Sequence, residues 1–251
     1  FTLSNPNRVR ALYGAFTGNQ VRFHDLSGKG YQMIADMVIA LDKQNPQTAA
    51  RFIPSLGRWR RYERGRCELV TVHQIHSAEV VTVTGPLPLD QRPKADAMVT
   101  DRPNHLLGIL TADCVPVLFY DARARVIGAA HAGWKGALAG VTDNVIGAME
   151  KLGADRDNIA CAIGPCIAQA SYEVDAAFRS RFVDADSTND RFFAAGRPDH
   201  FQFDIEEYVA ARLGREGIAK IDKLGLDTYA NEDRYFSYRR SCHRAEAGYG
   251  R

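Results

Sequence analysis

The stretch LLGILTADCVPVLFYDARARVIGAAHAGWKG, residues 106–136, decides the fold. It holds three nearly continuous apolar runs, Leu106–Leu110, Val115–Tyr120 and Val126–Ala130. Apolar runs of this length are typical of strands that are covered on both faces. The stretch therefore predicts three strands of a buried sheet.

Further strands and two helices are predicted on both sides of this stretch. Val141–Leu152 has apolar residues at helical spacing, and Gly153 supplies a stop. Asp204, with Glu207 three residues on, predicts an N-cap and a helix that ends at Gly217. The further strands are predicted from Val, Ile and Thr content at Glu68–Val72, Glu79–Val83, Ile159–Ile163 and Ile218–Ile221.

The order of these elements predicts the fold class and the domain count. Strands and helices are mixed without a regular strand–helix–strand period, so we expect an α/β or α+β fold with a buried sheet. The 251 residues show no internal repeat and no linker, which predicts a single domain over residues 1–251. Residues 1–66 have the weakest pattern: Gly14–Gly18 and Ser27–Gly30 are rich in turn formers, and Tyr31–Leu41 fits a short helix or a strand.

Composition excludes several classes of protein. The net charge of +2, from 32 Lys and Arg against 30 Asp and Glu, is too balanced to demand a nucleic-acid partner. The five cysteines are odd in number and scattered, so they do not form a disulfide framework. No apolar run approaches the roughly 20 residues of a membrane helix, and the first residues lack the pattern of a signal peptide. We therefore expect a cytoplasmic protein with no membrane or nucleic-acid partner.

One basic segment is open to two interpretations. Arg58–Arg66 contains five arginines interleaved with Trp59 and Tyr62, and such a pattern can grip nucleic acid. The alternative is a solvated helix end with cations near its C-terminus. An RNA-binding module of this kind would bind with a steep salt dependence and would keep binding without Cys114.

Three polar residues stand where predicted strands begin or end. His76 follows a Val-rich strand, Cys114 lies between two apolar runs, and His131 ends the third run. A His/Cys/His set suits zinc, because three protein ligands leave a fourth position open for water or substrate. Taken singly, each residue also has a structural explanation, since buried thiols are commonly inert and histidines are commonly hydrogen-bonded in cores.

The same residues support a second hypothesis, a metal-free cysteine hydrolase. Cys114 would be the nucleophile, His131 the base and Asp113 the group that orients the base. Asp113 could equally be a carboxylate that orients a metal-bound histidine, or a turn residue that binds its own backbone. Metal content separates the two hypotheses.

Other residues are candidates for binding substrate. The backbone amides around Gly133–Gly136, at a predicted helix start, could hold an anion, with Lys135 or Arg239 adding charge. The alternative for the glycines is a tight turn between strand and helix. We expect Arg239 to reach the site and Arg240 to be solvated, as alternation along a strand requires. Cys161 is predicted to lie in the core and Cys166 to line the pocket.

Five blocks that contain these residues occur in the order and spacing of one family. They are Gln74-Ile75-His76-Ser77, Thr111-Ala112-Asp113-Cys114-Val115-Pro116, His131-Ala132-Gly133-Trp134-Lys135-Gly136, Ile163-Gly164-Pro165-Cys166-Ile167 and Phe236-Ser237-Tyr238-Arg239-Arg240. Over residues 68–251 the chain resembles the multicopper-oxidase-like laccase-domain family, also called the YfiH family or the laccase-domain purine nucleoside phosphorylases.

The resemblance implies a layered α/β fold with helices flanking stacked sheets. It also implies one metal site, usually zinc, at His76, Cys114 and His131. The implied activities are phosphorolysis of adenosine, inosine, guanosine and methylthioadenosine with inorganic phosphate, and deamination of adenosine. Two alternatives also come from the family: copper-dependent polyphenol oxidation, and editing of peptidoglycan precursors.

Two features of this chain bear on those implications. The family has a segment like FFTR-x-GG near its start, whose arginine helps to hold substrate, whereas here Phe16-Thr17 is followed by Gly18-Asn19-Gln20. Residues 1–66 are therefore expected to be a divergent part of the same domain. A multicopper oxidase requires about ten histidine ligands in paired H-x-H patterns, but this chain has seven histidines and no H-x-H pair. A purine nucleoside enzyme is the better interpretation.

Overall fold

The structure is a computed structural model, and it describes residues 6–19, 23, 28–56 and 68–246. The chain divides into two units, Phe1–Arg66 and Cys67–Arg251. The expectation of a single domain over residues 1–251 stays a prediction. Each unit is described by itself.

The first unit is helical in its described part. Its helices are α1 (Pro6–Gly18), α2 (Lys29–Asp42), α3 (Pro46–Ala50) and α4 (Ile53–Leu56). The Asn45 side chain accepts a hydrogen bond from the Thr48 backbone N–H, and Pro46 occupies the first position of α3, as is common at helix starts. The apolar side chains that pack together are those of Val9, Phe23, Ile34, Met37, Leu41, Ala49 and Phe52.

Several expectations fall within this unit. Tyr31–Leu41 lies inside α2, so the helical alternative is the one observed. The prediction of a turn-rich segment at Gly14–Gly18 was wrong, because these residues complete α1, and Phe16-Thr17 is part of that helix. The arginine-rich segment Arg58–Arg66 lies outside the described residues.

The second unit is built on strands. In chain order they are β1 (Glu68–Thr71), β2 (Val80–Thr82), β3 (Ala97–Thr100), β4 (His105–Gly108), β5 (Val115–Asp121), β6 (Val126–Ala132), β7 (Ile159–Ile163), β8 (Glu173–Asp175), β9 (Phe193–Ala195), β10 (His200–Phe203) and β11 (Lys220–Lys223). A six-stranded sheet has the order β11-β7-β5-β6-β3-β2. Its central pairs are antiparallel, and its two outer pairs are parallel.

Two smaller sheets and five helices accompany the six-stranded sheet over residues 68–246. β1 pairs in parallel with β4, and β8, β10 and β9 form an antiparallel sheet. The helices are α5 (Trp134–Ala139), α6 (Val141–Lys151), α7 (Ala176–Ala185), α8 (Ile205–Arg215) and α9 (Tyr238–His243), and short 3-10 turns occupy Leu89–Gln91, Arg156–Asn158, Gln169–Ser171 and Ser187–Phe192. Across the described part of the chain, the helices are too short or too polar to cross a membrane.

The six-stranded sheet is covered by helices on one face and is covered in part on the other. On one face, α6 buries Val145 and Met149 against β3 and β6, and a Cβ atom at Gly128 of β6 would lie 3.0 Å from the Val145 side chain. On the other face, Met98 of β3 packs with Val70 of β1 in a second apolar cluster. Sheets are therefore stacked and helices flank them, which confirms the predicted fold class.

All seven predicted strands are observed, with ends shifted by at most two residues. The prediction of cover on both faces was wrong for β5, because its Leu118 and Tyr120 side chains are more than half exposed. The apolar runs of residues 106–136 form β4, β5 and β6, and Asp204 caps α8 by accepting a hydrogen bond from the Glu207 backbone N–H at 2.9 Å. β3 was not predicted from the sequence. All four of its residues are buried, although Ala97–Thr100 is too short for a periodicity to show.

Asp121 at the end of β5 is a buried carboxylate that closes the turn to β6. It accepts hydrogen bonds from the backbone N–H groups of Arg123, Ala124 and Asp155 at 2.8–3.0 Å. The bonds from Ala124 and Asp155 outweigh the effect of burial and hold the pKa of Asp121 below its ordinary value of 3.8. A carboxylate with a lowered pKa stabilises the fold above that value and loses this contribution in acid.

Asp121→Asn is therefore expected to destabilise the protein most at neutral pH. The amide keeps the shape of the carboxylate but turns an NH2 group toward backbone donors, which costs about 1–3 kcal/mol. Urea unfolding of both proteins at pH 7 and at several lower values measures the difference in stability. The difference should narrow as the pH falls below the ordinary value of 3.8, and a constant difference across the series would contradict this account.

Candidate functional site

The pairing of β5 with β6 brings Cys114 next to His131. Pro116 is opposite His131 and Val115 is opposite Ala132, so Cys114, one residue before β5, lies at the same end of the sheet. His76 reaches this end from the segment between β1 and β2. The prediction that strand ends hold these side chains thus agrees with the register.

The three side chains form one cluster. Their donor atoms all lie within 4.8 Å of one another. The Sγ atom of Cys114 is 3.8 Å from Nε2 of His76, and the two imidazole rings have centroids 4.7 Å apart with an angle of 80° between their planes. His131 is buried, Cys114 is half-buried and His76 is exposed, so the cluster opens to solvent on the His76 side.

Asp96 is a site residue that the sequence analysis missed. Its side chain is fully buried, and its carboxylate accepts hydrogen bonds from Nδ1 of His131 at 2.8 Å and from the backbone N–H of His76 at 2.9 Å. Asp96 therefore contacts two of the three clustered residues. The signal in the sequence was a lone acidic residue between Ala95 and Ala97, directly before a buried strand.

The hydrogen bonds at Asp96 also fix its charge. Burial raises the pKa of Asp96, but hydrogen bonds from His131, Ser77 and His76 outweigh burial and hold the pKa well below its ordinary value. Burial and the neighbouring His131 and Lys135 lower the pKa of His76, against the raising effect of Asp96. A neutral imidazole has a lone pair free for a metal ion, so this shift favours coordination.

The pKa of Cys114 is shifted in the opposite direction to that of His76. Burial, with Asp113 and Asp96 nearby, raises the pKa of its thiol to about 12. Thiolate is the form that acts as a nucleophile or as a metal ligand. In these surroundings a positive charge beside the thiol favours the thiolate, and a metal ion bound at the cluster would supply that charge.

Asp113 anchors the segment before Cys114 to the C-terminal part of the unit. Its Oδ1 atom accepts a hydrogen bond from the Thr228 hydroxyl at 2.7 Å, and its Oδ2 atom accepts one from the Arg239 backbone N–H at 2.6 Å. The carboxylate bonded to His131 is that of Asp96 rather than that of Asp113. The catalytic role expected for Asp113 stays a prediction.

Two residues of the site have a left-handed backbone. The φ angles are 61° at His76 and 83° at Asp113. Residues with a Cβ atom rarely adopt positive φ, and such strain persists only where surrounding contacts hold it. Here the bonds between Asp96 and the 75–77 backbone, and the bonds at the Asp113 side chain, supply those contacts.

Neither Gly133 nor Gly136 has room for a side chain. A Cβ atom at Gly133 would lie 2.7 Å from Cδ2 of His76 and 3.1 Å from Sγ of Cys114, and one at Gly136 would lie 2.6 Å from the Ser77 carbonyl oxygen. The φ of −67° at Gly133 is accessible to any residue. These glycines therefore let the start of α5 approach the cluster, and the binding of an anion by their amides stays a prediction.

Lys135 and Arg239 are the charged members of the predicted substrate-binding set. Lys135 is exposed, with Nζ 5.5 Å from the centroid of the Trp134 ring, and its charge acts on His76. The Arg239 guanidinium lies 5.1 Å from the centroid of the Tyr172 ring. Arg239 is half-buried and its backbone is held by Asp113, next to Cys114.

The prediction for Arg240 was wrong. Both arginines lie on helix α9 rather than on a strand, so alternation does not apply. Arg240 is buried and donates to the carbonyl oxygens of Thr228, Tyr229 and Tyr235 at 2.6–2.8 Å. It therefore holds the C-terminal segment together.

Two cysteines outside the cluster are buried, which confirms the core position predicted for Cys161. Cys161 in β7 and Cys166 beyond it are each 3% exposed. Burial raises the pKa of Cys161 to about 12 and raises that of Cys166 as well. The prediction that Cys166 lines a pocket is tested by no contact and stays a prediction.

The donor set fits a metal ion. Within the ranges that the structure describes, His76, Cys114 and His131 are the one group of three or more His, Cys, Asp or Glu side chains whose donor atoms converge in this way. A thiol and two imidazoles bind zinc or copper in preference to magnesium or calcium, which prefer oxygen donors. Three protein donors match a site with a position open to substrate.

Two family models match the chain. Residues 44–251 match the family described as multi-copper polyphenol oxidoreductase laccase. Residues 1–77 match a domain of unknown function described as ARM repeats. All residues of the cluster, with Asp96, Asp113 and Arg239, lie inside the first match.

Relatives and solved structures agree with the longer match. A purine nucleoside phosphorylase of Rickettsia conorii is 36% identical over 180 residues, covering 71% of this chain and 73% of its own. The Escherichia coli purine nucleoside phosphorylase YfiH is 33% identical over 171 residues, covering 68% of each chain. A Neisseria meningitidis protein of the DUF152 family, with a TM-score of 0.65 and 29% identity, covers 75% of this chain and 76% of its own. The Bacillus licheniformis protein YfiH has the same TM-score at 30% identity and covers 69% of each chain.

Gly133→Ala is expected to damage the cluster without unfolding the protein. The new methyl group would displace His76 and Cys114, and we expect metal affinity to fall about 10–100-fold, as it does when a ligand is misoriented. Metal content after dialysis at a fixed free metal concentration measures the effect, and circular dichroism reports the fold.

Gly147→Ala in α6 is the matched control. Nothing lies within 4 Å of a Cβ atom at this position, so alanine should stabilise the helix by roughly 0.5–1 kcal/mol. Metal content should not change in this control. Full metal content in Gly133→Ala would show that the glycine is not required by space.

Proposed function

The chain belongs to the YfiH family of laccase-domain proteins, and we propose that it is a zinc-dependent purine nucleoside phosphorylase. The proposed substrates are a purine nucleoside, such as adenosine, inosine, guanosine or methylthioadenosine, and inorganic phosphate. The observation that carries the proposal is the convergence of His76, Cys114 and His131 at one sheet end. Relatives that share this family and fold are named purine nucleoside phosphorylases.

Zinc is the proposed metal because of the donor set. A thiolate with two imidazoles and an open position is typical of catalytic zinc sites, and zinc bound there would supply Lewis acidity to a substrate oxygen. The raised pKa of the Cys114 thiol supports a metal site over a metal-free cysteine hydrolase, because a neutral thiol is a poor nucleophile. In such a hydrolase Asp96, which is bonded to His131, would take the orienting role that was expected of Asp113.

Copper oxidase chemistry is the less supported alternative. A laccase mechanism uses several copper ions and about ten histidine ligands. The described part of the chain offers one cluster of three donors, and the whole sequence has seven histidines. Copper bound in place of zinc would account for weak oxidation of phenols by the same site, because copper(II) binds such donors more tightly.

The remaining site residues would bind and orient the two substrates. In phosphorolysis a phosphate oxygen forms a bond to the anomeric carbon of the sugar as the bond to the purine nitrogen breaks, and the purine leaves with that electron pair. Lys135 is exposed beside the cluster and would attract phosphate. Arg239 packs on Tyr172, and its backbone is held by Asp113 next to Cys114. Its side chain would bind substrate on that side of the cluster.

Cys114→Ala is expected to abolish metal binding and to lower phosphorolysis more than about 100-fold, since loss of a ligand exceeds the cost of losing a supporting contact. Plasma mass spectrometry should find about one zinc per chain in the unchanged protein. The exposed Cys242 supplies a control, because Cys242→Ala should keep both metal and activity. A Cys114→Ala protein with full activity would refute the proposed site, and one zinc lost without loss of activity would refute the role of the metal.

Turnover of inosine and adenosine is expected to depend on inorganic phosphate. Phosphorus NMR of the reaction should show a sugar 1-phosphate that is absent when phosphate is removed. Ammonia release from adenosine without phosphate would reveal the deamination that the family also implies, by attack of water at the carbon bearing the amine. Equal release of free purine with and without phosphate would rule out phosphorolysis.

A further inference from the structure

The Asp96 carboxylate receives five hydrogen bonds, and they divide between its two oxygens. Oδ1 accepts from Nδ1 of His131 at 2.8 Å and from the His76 backbone N–H at 2.9 Å. Oδ2 accepts from the backbone N–H groups of Ile75 and Ser77 and from the Ser77 hydroxyl, at 2.6–3.1 Å. Asp96 thus joins the His131 ring and three consecutive backbone amides around His76.

We propose that Asp96 is a positioning residue that sets the tautomer of His131 and the backbone conformation of His76 before any metal binds. This inference rests on the proposed metal-dependent function, and it assigns a role to a residue outside the donor set. One carboxylate would then prepare two of the three donors.

The tautomer follows from the hydrogen bond at Nδ1. A carboxylate surrounded by five donors acts as an acceptor only, so Nδ1 of His131 carries the proton. In a neutral imidazole the other nitrogen then has the lone pair. In the neutral form of the ring, Nε2 of His131 is therefore the acceptor for a metal ion. The ring is 3% exposed and cannot exchange this partner for water.

The backbone of His76 depends on the same carboxylate. Its φ of 61° is unusual for a residue with a side chain. Successive N–H groups that converge on one anion form a concave nest, and a left-handed residue is typical of such a nest. Here the anion is Asp96 of the protein itself, so the carboxylate holds the turn that carries the His76 ring.

The effect of Asp96→Asn can be worked out atom by atom. An NH2 group in place of Oδ2 would face two backbone N–H groups, those of Ile75 and Ser77, which cannot become acceptors. In place of Oδ1 it would face one backbone N–H, that of His76, and the His131 ring, which can accept by moving its proton to Nε2. The second arrangement places the NH2 group against one backbone N–H group rather than two. We therefore expect the variant to hold His131 in the Nε2–H tautomer, with no lone pair left for a metal ion.

Nitrogen-15 NMR of histidine-labelled, metal-free protein tests the proposal. In the unchanged protein His131 should be protonated at Nδ1, and in Asp96→Asn at Nε2. Zinc affinity, measured by competition with a chromophoric chelator, should fall about 10–100-fold in the variant.

Asp121→Asn is the matched control. Asp121 is also buried and also accepts three backbone N–H groups, but it lies at the opposite end of β5 from Cys114. Its variant should be destabilised, with the His131 tautomer and the zinc affinity unchanged. Equal loss of zinc affinity in both variants would reduce Asp96 to a structural residue and overturn the proposal.

The outcomes separate this inference from the proposed function. An Nε2–H tautomer of His131 in the unchanged protein overturns it at once, whether or not Asp96→Asn folds. An unchanged tautomer and zinc affinity in a folded Asp96→Asn protein also overturn it. The NMR and zinc measurements use no nucleoside, so they would stand even if phosphorolysis were absent.

Discussion

The antiparallel pairing of β5 with β6 is the constraint on which the site depends. Its register places Val115 opposite Ala132 and so brings Cys114 beside His131, although the two residues are 17 positions apart in the chain. A slip of one residue would turn every side chain of either strand to the other face. The register is held because Val115, Val117 and Phe119 of β5 lie buried on one face of the sheet, and a slip would exchange them with the exposed side chains of the other face.

The rest of the site is built around this pair by close contacts that only small residues permit. Gly133 leaves space for His76 and Cys114, and Gly136 leaves space for the Ser77 carbonyl group. The strained backbone at His76 is stabilised by the buried Asp96 carboxylate. Space and strain thus act together: the loop approaches the sheet because the glycines allow it, and it keeps its conformation because Asp96 binds its amides.

The sequence could predict the strands and donors of the site but not the contacts that hold the loop around His76. The apolar runs revealed β5 and β6, and the polar residues at their ends revealed Cys114 and His131. Asp96 was not predicted because its partners His76 and His131 lie 20 and 35 residues away in the chain. In addition, β3, which follows Asp96 directly, is only four residues long. The burial of Arg240 was not predicted because the segment was interpreted as a strand, whereas Ser237 caps a helix there.

The charges around Cys114 argue for a cation at the site. Asp96 and Asp113 are both buried, and both are held by N–H and O–H donors. In the described part of the chain, neither carboxylate forms a salt bridge to a lysine or arginine side chain. Their negative charge is felt at the thiol, whose pKa they raise beyond the effect of burial. A folded protein that places two carboxylates beside a thiol and two imidazoles stabilises positive charge there, and a metal ion bound by all three donors would satisfy that requirement.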